Sequence, residues 1–292
     1  MWITGVGVHS GRRSSLSLWP VDRPGIFITC EAGSPPDLGR SKRLGADQYD
    51  AVDNMSFIRL RDARIACPEH LLGSLVLADI GAVLIQVEPR DHELPLGPDG
   101  KESFYDLLLA AGRVPVPESA ERVPATAPWE PVAWREDSRR YSLVPSSTWS
   151  IVIALDWLSE TLVESTLEGL PLTADAELTR EIARSRTFVK AVDLPRFEFA
   201  GLCAGVRDNP WCMVLETEDL ESESTLRECA RHKVLDLLGD LALLGPSSPF
   251  SLSAFNPGHV SNVKLLRLLS EQRRSLVDSP DAGVSRRDTD HA

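Results

Sequence analysis

Five prolines between Val114 and Pro131 (Pro115, Pro117, Pro124, Pro128 and Pro131) constrain this chain more than any other feature. Each removes a backbone donor and fixes φ, so the stretch can be neither a helix nor a central strand. It follows a well-formed helix ending, Ser103-Phe-Tyr-Asp-Leu-Leu-Leu-Ala-Ala-Gly112, in which Gly112 suits the left-handed residue that closes a helix. The stretch 114–131 therefore reads as a linker between residues 1–113 and 132–272. From 273 to 292 the chain is polar and charged, with Pro280 and Gly283, and reads as a flexible tail. A length of 292 residues accommodates one large domain or two small ones, and the linker favours two.

The two halves look alike in plan. Strand-like runs occur at Ser15–Trp19, Gly25–Cys30 and Ala82–Glu88, with helical runs at Pro68–Ile80 and Ser103–Ala111. In the second half the strand-like runs are Tyr141–Val144, Trp149–Asp156, Cys212–Glu216 and Phe250–Phe255, and the helical runs Ala176–Ser185 and Thr225–Leu244. Runs of strands with a pair of helices in each half predict two α+β domains. No glycine-rich phosphate loop opens a helix, and no residue-level repeat relates the halves.

Lys and Arg number 31 against 43 Asp and Glu, a net charge of −12. Such a chain lacks the basic footprint that nucleic-acid binding requires and is poorly suited to an anionic membrane surface. No apolar run reaches the length of a spanning helix, and Met1-Trp-Ile-Thr-Gly5 has no basic region leading into an apolar one, so no secretory signal is expected. The five cysteines, Cys30, Cys67, Cys203, Cys212 and Cys229, are odd in number and widely spaced, which predicts reduced thiols in a cytoplasmic protein.

Histidines are scarce, six in all, and three lie in suggestive settings. In Arg231-His-Lys-Val-Leu-Asp-Leu-Leu-Gly-Asp240 the apolar spacing predicts a helix, and His232, Asp236 and Asp240 then share one face. A His and an Asp one turn apart can ligate one divalent metal, whereas the plainer alternative is a polar stripe on a surface helix. In Cys67-Pro-Glu-His-Leu-Leu-Gly73, Pro68 suits the first helical position and Glu69 the first turn. Glu69 can thus serve only the helix start. Yet the helix dipole disfavours a charged His70, a conflict that a neutral, metal-bound imidazole removes, and Glu69 would then stand where a general base belongs. His259 follows the Phe250–Phe255 run in Asn256-Pro-Gly-His259 and reads as a loop histidine facing a cleft or solvent. His9 sits in a glycine-rich turn, His92 in an acidic loop and His291 in the tail.

These pieces occur together in one family. The chain resembles the zinc-dependent UDP-3-O-acyl-N-acetylglucosamine deacetylases of lipid A biosynthesis, through Gly5-Val-Gly-Val-His-Ser-Gly11, Pro68-Glu-His-Leu-Leu72, Glu93-Leu-Pro-Leu96 with Phe104, Ser185-Arg-Thr-Phe188, Gly201-Leu-Cys203, Arg231-His-Lys-Val-Leu-Asp236 with Gly239-Asp240, and Gly258-His259. The motifs stand in the family's order from near residue 3 to about residue 270. The resemblance implies an α+β fold of two similar domains, each a two-helix layer on β-sheet, with the active site between them. It implies zinc held by His70, His232 and Asp236, with Glu69 as general base and His259 as electrostatic stabiliser or general acid oriented by Asp240. Thr187 would meet the oxyanion, and Lys233 and Phe188 would contact substrate. The implied partner is a UDP-linked acylated amino-sugar, handled by a monomer without membrane insertion.

The chain departs from the family's pattern in places. Val189-Lys190 replaces the usual Gly-Phe after Phe188, Pro98-Asp-Gly-Lys101 and Asp53-Asn-Met-Ser-Phe57 replace other stretches, and most of the leading strand is missing. The segment after Cys203 is about two residues longer, at Arg207-Asp-Asn-Pro-Trp211. A lysine is unfavourable beside a buried alkyl chain unless its head reaches water. Two alternatives therefore stand beside the first reading: a zinc amidase for a different acylated amino-sugar, and an inactive paralogue that binds a sugar nucleotide.

Overall fold

Alternating apolar and polar residues open the chain and pair as strands. In the computed structural model, which describes residues 1–31, 35–61, 63–88, 93–116, 130–156, 163–168, 176–207, 209–245 and 249–278, the first half runs β1 (Trp2–Val6), β2 (Arg13–Pro20), β3 (Gly25–Thr29), β4 (Lys42–Arg43), β5 (Tyr49–Val52), β6 (Met55–Arg59), β7 (Arg64–Ala66), α1 (Glu69–Leu77), β8 (Ala82–Val87) and α2 (Phe104–Ala111). The second half runs β9 (Val132–Glu136), β10 (Arg139–Pro145), β11 (Ser150–Leu155), β12 (Val163–Glu168), α3 (Ala176–Arg184), β13 (Thr187–Lys190), α4 (Leu194–Phe199), β14 (Cys212–Leu215), α5 (Glu223–Leu241), β15 (Phe250–Phe255) and α6 (His259–Asp278).

The two main sheets have one topology. The first is ordered β1-β2-β8-β3-β4 and the second β9-β10-β15-β11-β12. In each, two antiparallel pairs flank a fifth strand, which runs antiparallel to one neighbour (β2, β10) and parallel to the other (β3, β11). That fifth strand follows a helix, α1 or α5, and precedes another, α2 or α6. The duplication lies in topology and not in side chains: β8 is buried along nearly its whole length, whereas β15 alternates between more and less buried residues.

Each half carries an addition. A three-stranded sheet, β5-β6-β7, precedes α1, and a parallel pair, β13-β14, with α4 between its strands, precedes α5. Among the described residues the second half holds four helices rather than the expected pair: α3 and α5 fall on the predicted runs, and α4 and α6 come in addition. The expected linker lies mostly outside the described residues. β1 pairs with β2 over its whole length. The polar stretch read as a tail from residue 273 begins as helix, since α6 continues to Asp278. No helix among the described residues is long and apolar enough to cross a membrane.

α1 and α5 meet backbone to backbone. A Cβ on Gly239 would lie 2.0 Å from the Glu69 carbonyl oxygen, and one on Gly73 would lie 2.7 Å from that of Leu235. Each glycine in a helix costs about 1 kcal/mol relative to alanine, and here the absent side chain permits the contact. Gly239→Ala should lower Tm by several degrees: relief of the propensity cost is outweighed by overpacking against backbone that cannot rotate away, about 1–3 kcal/mol. Thermal unfolding of the variant measures this, and an unchanged or higher Tm contradicts the contact.

Candidate metal and acid–base site

The crossing of α1 and α5 sets the site. Cys67 adopts the left-handed region (φ 57°), turning the chain sharply from β7 into α1. Pro68 is the residue flanking the helix, and Glu69 is its first member. Both Glu69 and His70 are buried, as are His232, Asp236 and Asp240 along α5. The polar stripe of α5 is thus an interior feature and not a surface one.

His70 and His232 are oriented alike, one from each half of the chain. His70 Nδ1 lies 3.1 Å from the Leu96 carbonyl and His232 Nδ1 lies 3.1 Å from that of Ser185. A carbonyl only accepts, so each Nδ1 carries a proton and each Nε2 presents a lone pair when the ring is neutral. The two Nε2 atoms lie 3.3 and 3.2 Å from the same atom, Asp236 Oδ1. That oxygen is fully buried and accepts no hydrogen bond. Ligand atoms of the three residues all lie within 4.8 Å of one another, a group that could hold a metal ion.

The electrostatics call for positive charge at that point. Burial raises the pKa of Asp236, but His232 and Lys233 outweigh it and hold the carboxyl well below its ordinary range. Burial lowers His232 below its ordinary value. Burial acts likewise on His70, but Asp236 and Glu69 outweigh it and raise the group above its ordinary value. A proton supplies one charge to this set of donors, and a divalent cation supplies two. The orphaned Oδ1 and the imidazoles fixed through Nδ1 fit a bound metal, for which such outer hydrogen bonds are the rule.

A second buried cluster adjoins the first. His259 is the first residue of α6, 8% exposed, rather than a loop residue. The turn before it is made by Asn256 in the left-handed region, whose side chain accepts from the Asp156 amide. Asp240 receives His259 Nδ1, Asn262 Nδ2 and the Tyr49 hydroxyl, each at 2.8 Å. Burial opposes charge on His259, but the carboxylates of Asp240, Asp236 and Glu69 prevail and raise its pKa to about 10. Burial also draws Asp240 upward, yet three donors meet its two oxygens, so the shared proton rests on the imidazole. Glu69 accepts from Ser56.

Lys233 donates to Asp236 Oδ2 at 2.8 Å and lies 5.4 Å from the centre of the Phe188 ring, which itself meets His232 edge-on at 6.0 Å. Thr187 begins β13 and, with His70 and Ser185, lines a small pocket. His9 feels the charges of Glu93, Glu69 and His259, and burial outweighs the carboxylates and lowers its pKa. Its backbone amide and that of Ser10 bind the carboxylate of Glu93, each at 2.8 Å, so the Gly5–Gly11 turn encloses Glu93. His92 and His291 lie outside the described residues. Tyr49, Ser56 and Asn262 carry no motif that would have marked them in the sequence. The Leu96 and Ser185 carbonyls, by contrast, belong to segments already singled out.

A buried His-His-Asp group beside a carboxylate and an ion-paired imidazole is the equipment of a hydrolase. The family model for UDP-3-O-acyl N-acetylglycosamine deacetylase matches residues 1–271, and the chain belongs to that family. Among its relatives are proteins named UDP-3-O-acyl-N-acetylglucosamine deacetylase. One from Anaeromyxobacter sp. (strain Fw109-5) is 30% identical over 90% of this chain and 84% of its own. One from Actinobacillus succinogenes is 28% identical over 94% and 88%, and one from Anaeromyxobacter dehalogenans is 30% identical over 90% and 83%.

The ion pair makes a titration prediction. His259 should keep its proton through neutral pH and lose it near pH 10, the value to which its pKa is raised. In Asp240→Asn, with one carboxylate removed, the midpoint should move down towards the ordinary 6.5. Imidazole NMR titration of the metal-free protein reads this directly, and a midpoint unaffected by the substitution contradicts the pairing.

Proposed function

We propose that this chain is a zinc-dependent deacetylase that hydrolyses the N-acetyl group of UDP-3-O-acyl-N-acetylglucosamine, releasing acetate, in lipid A biosynthesis. The observation that carries the reading is the convergence of His70 Nε2, His232 Nε2 and the unpartnered Asp236 Oδ1 on one buried point. Two imidazoles and a carboxylate suit catalytic zinc, whose fourth position stays open. When bound there, zinc supplies Lewis acidity to the attacking water and the amide carbonyl.

The chain's own residues carry the protons. Glu69 Oε2 is tied to Ser56, while Oε1 stands 3.9 Å from His70 Nε2, at the edge of the ligand set. From there Glu69 takes the proton as water adds to the carbonyl. His259, held protonated by Asp240, stabilises the negative charge that develops, and it or Glu69 protonates the amine as the C–N bond breaks. Thr187 meets the oxyanion, and Lys233 and Phe188 contact the substrate. A chain of net charge −12 needs local positive charge to take an anionic sugar nucleotide, and Lys233 and His259 supply it beside the bound metal.

The proposal includes two domains, 1–113 and 132–272, joined by 114–131, acting as a monomer in the cytoplasm without nucleic acid or membrane insertion. The matched topology of the two sheets supports the division, and five free cysteines support a reducing compartment. A second reading keeps the chemistry and changes the acylated amino-sugar. It is favoured by Lys190, half-buried at the end of β13, where neighbouring Val189 packs in an apolar cluster.

Purified protein should carry about one zinc and release acetate from the acylated UDP-sugar. Glu69→Ala should lose about 10²–10⁴-fold in turnover while retaining its metal. Zinc-loaded protein that fails on this substrate but turns over another amino-sugar amide establishes the second reading, and metal-loaded protein without any amidase activity contradicts both.

A further inference from the structure

Asn209-Pro210-Trp211, part of the segment that departs from the family pattern, lies where the two halves of the chain meet behind the imidazoles. The Trp211 indole donates its Nε1–H to the Pro98 carbonyl at 2.8 Å. Its ring lies so close over Gly97 that a Cβ there would fall 2.5 Å from the indole carbons. Its own carbonyl accepts from the Thr187 amide at 3.0 Å. One residue is thus bonded to two segments, two positions beyond Leu96 on one side and two positions beyond Ser185 on the other. Those are the residues whose carbonyls fix His70 and His232.

Asn209 reinforces the tie and is itself buried. Its Oδ1 accepts from the Trp211 amide at 3.0 Å, and its Nδ2 donates to the Val6 carbonyl at 3.1 Å. The same carbonyl accepts from the Leu96 amide at 3.1 Å. Leu96 is therefore held from its amide side through Val6 and just beyond its carbonyl side through Pro98, and both anchors lead back to Asn209 and Trp211. Trp211 also lines the pocket that His70, Ser185 and Thr187 line.

We propose that Trp211, seated by Asn209, is a positioning residue for the metal: it sets the separation of the Leu96 and Ser185 carbonyls, and so the angle at which His70 and His232 present Nε2 to a common point. This rests on the metal reading above. Hydrogen bonds behind ligating histidines govern affinity by about 10–100-fold. Here two such bonds come from separate halves of the chain and need a common reference, which Trp211 provides.

The test is zinc affinity of the intact protein, measured by competition with a chromophoric chelator at fixed pH. Trp211→Ala should weaken binding by about 10–100-fold. Trp211→Phe keeps a ring over Gly97 and loses only the bond to Pro98, so it should weaken binding by about 3–10-fold. Trp149→Phe, at an aromatic contact with Phe250 in the second sheet, should leave affinity unchanged even where it lowers Tm, which separates positioning from general stability. If Trp211→Ala does not fold, Trp211→Phe decides. Affinity within twofold of wild type in Trp211→Phe and in any folded Trp211→Ala overturns the proposal. Wild-type protein that binds no zinc removes the metal reading itself, and this inference with it.

Discussion

The backbone contact between α1 and α5 is the constraint on which the rest of the molecule depends. At Gly239 the approach leaves no room for a side chain. Because these helices belong to opposite halves, that proximity brings Glu69 and His70 within reach of His232, Asp236 and Asp240. Helices separated by ordinary side chains lie about 8–10 Å apart; the glycines at 73 and 239 instead bring these two into backbone contact.

Converging polar groups in an apolar interior is unfavourable unless each is matched. Burying an ionised carboxylate without a partner costs several kcal/mol. The structure answers this by pairing: Asp240 takes three donors, Glu69 takes Ser56, and Lys233 neutralises one oxygen of Asp236. The other oxygen of Asp236 is left over, and it is the atom towards which both imidazoles point. In a network otherwise satisfied, one unmatched acceptor facing two lone pairs marks where a cation belongs. Lys233 and His259 place local positive charge beside these carboxylates.

Much of this was legible in the sequence because it is local. The i, i+4, i+8 stripe of His232, Asp236 and Asp240 needs only a helix, and α5 supplies it. Ser103 and Gly112 bound α2 as their chemistry dictates. What escaped were long-range pairings. Tyr49 reaches Asp240 across 191 positions, and nothing in Tyr-Asp-Ala-Val announces it. His259 reads as a loop residue because Asn256-Pro-Gly is turn chemistry, yet those residues make the turn that starts α6, and Asp240 compensates the unfavourable helix end for a charged imidazole. The repeated sheet topology has no residue-level trace, since strand order depends on which runs pair and not on which side chains they carry.

The central claim is that the α1–α5 contact assembles one metal position from both halves. Anomalous diffraction at the zinc edge tests it most directly. A single strong peak is expected about 2.0–2.2 Å from His70 Nε2, His232 Nε2 and the Asp236 carboxylate. A peak on other residues, or none at this point in zinc-treated crystals, would contradict it.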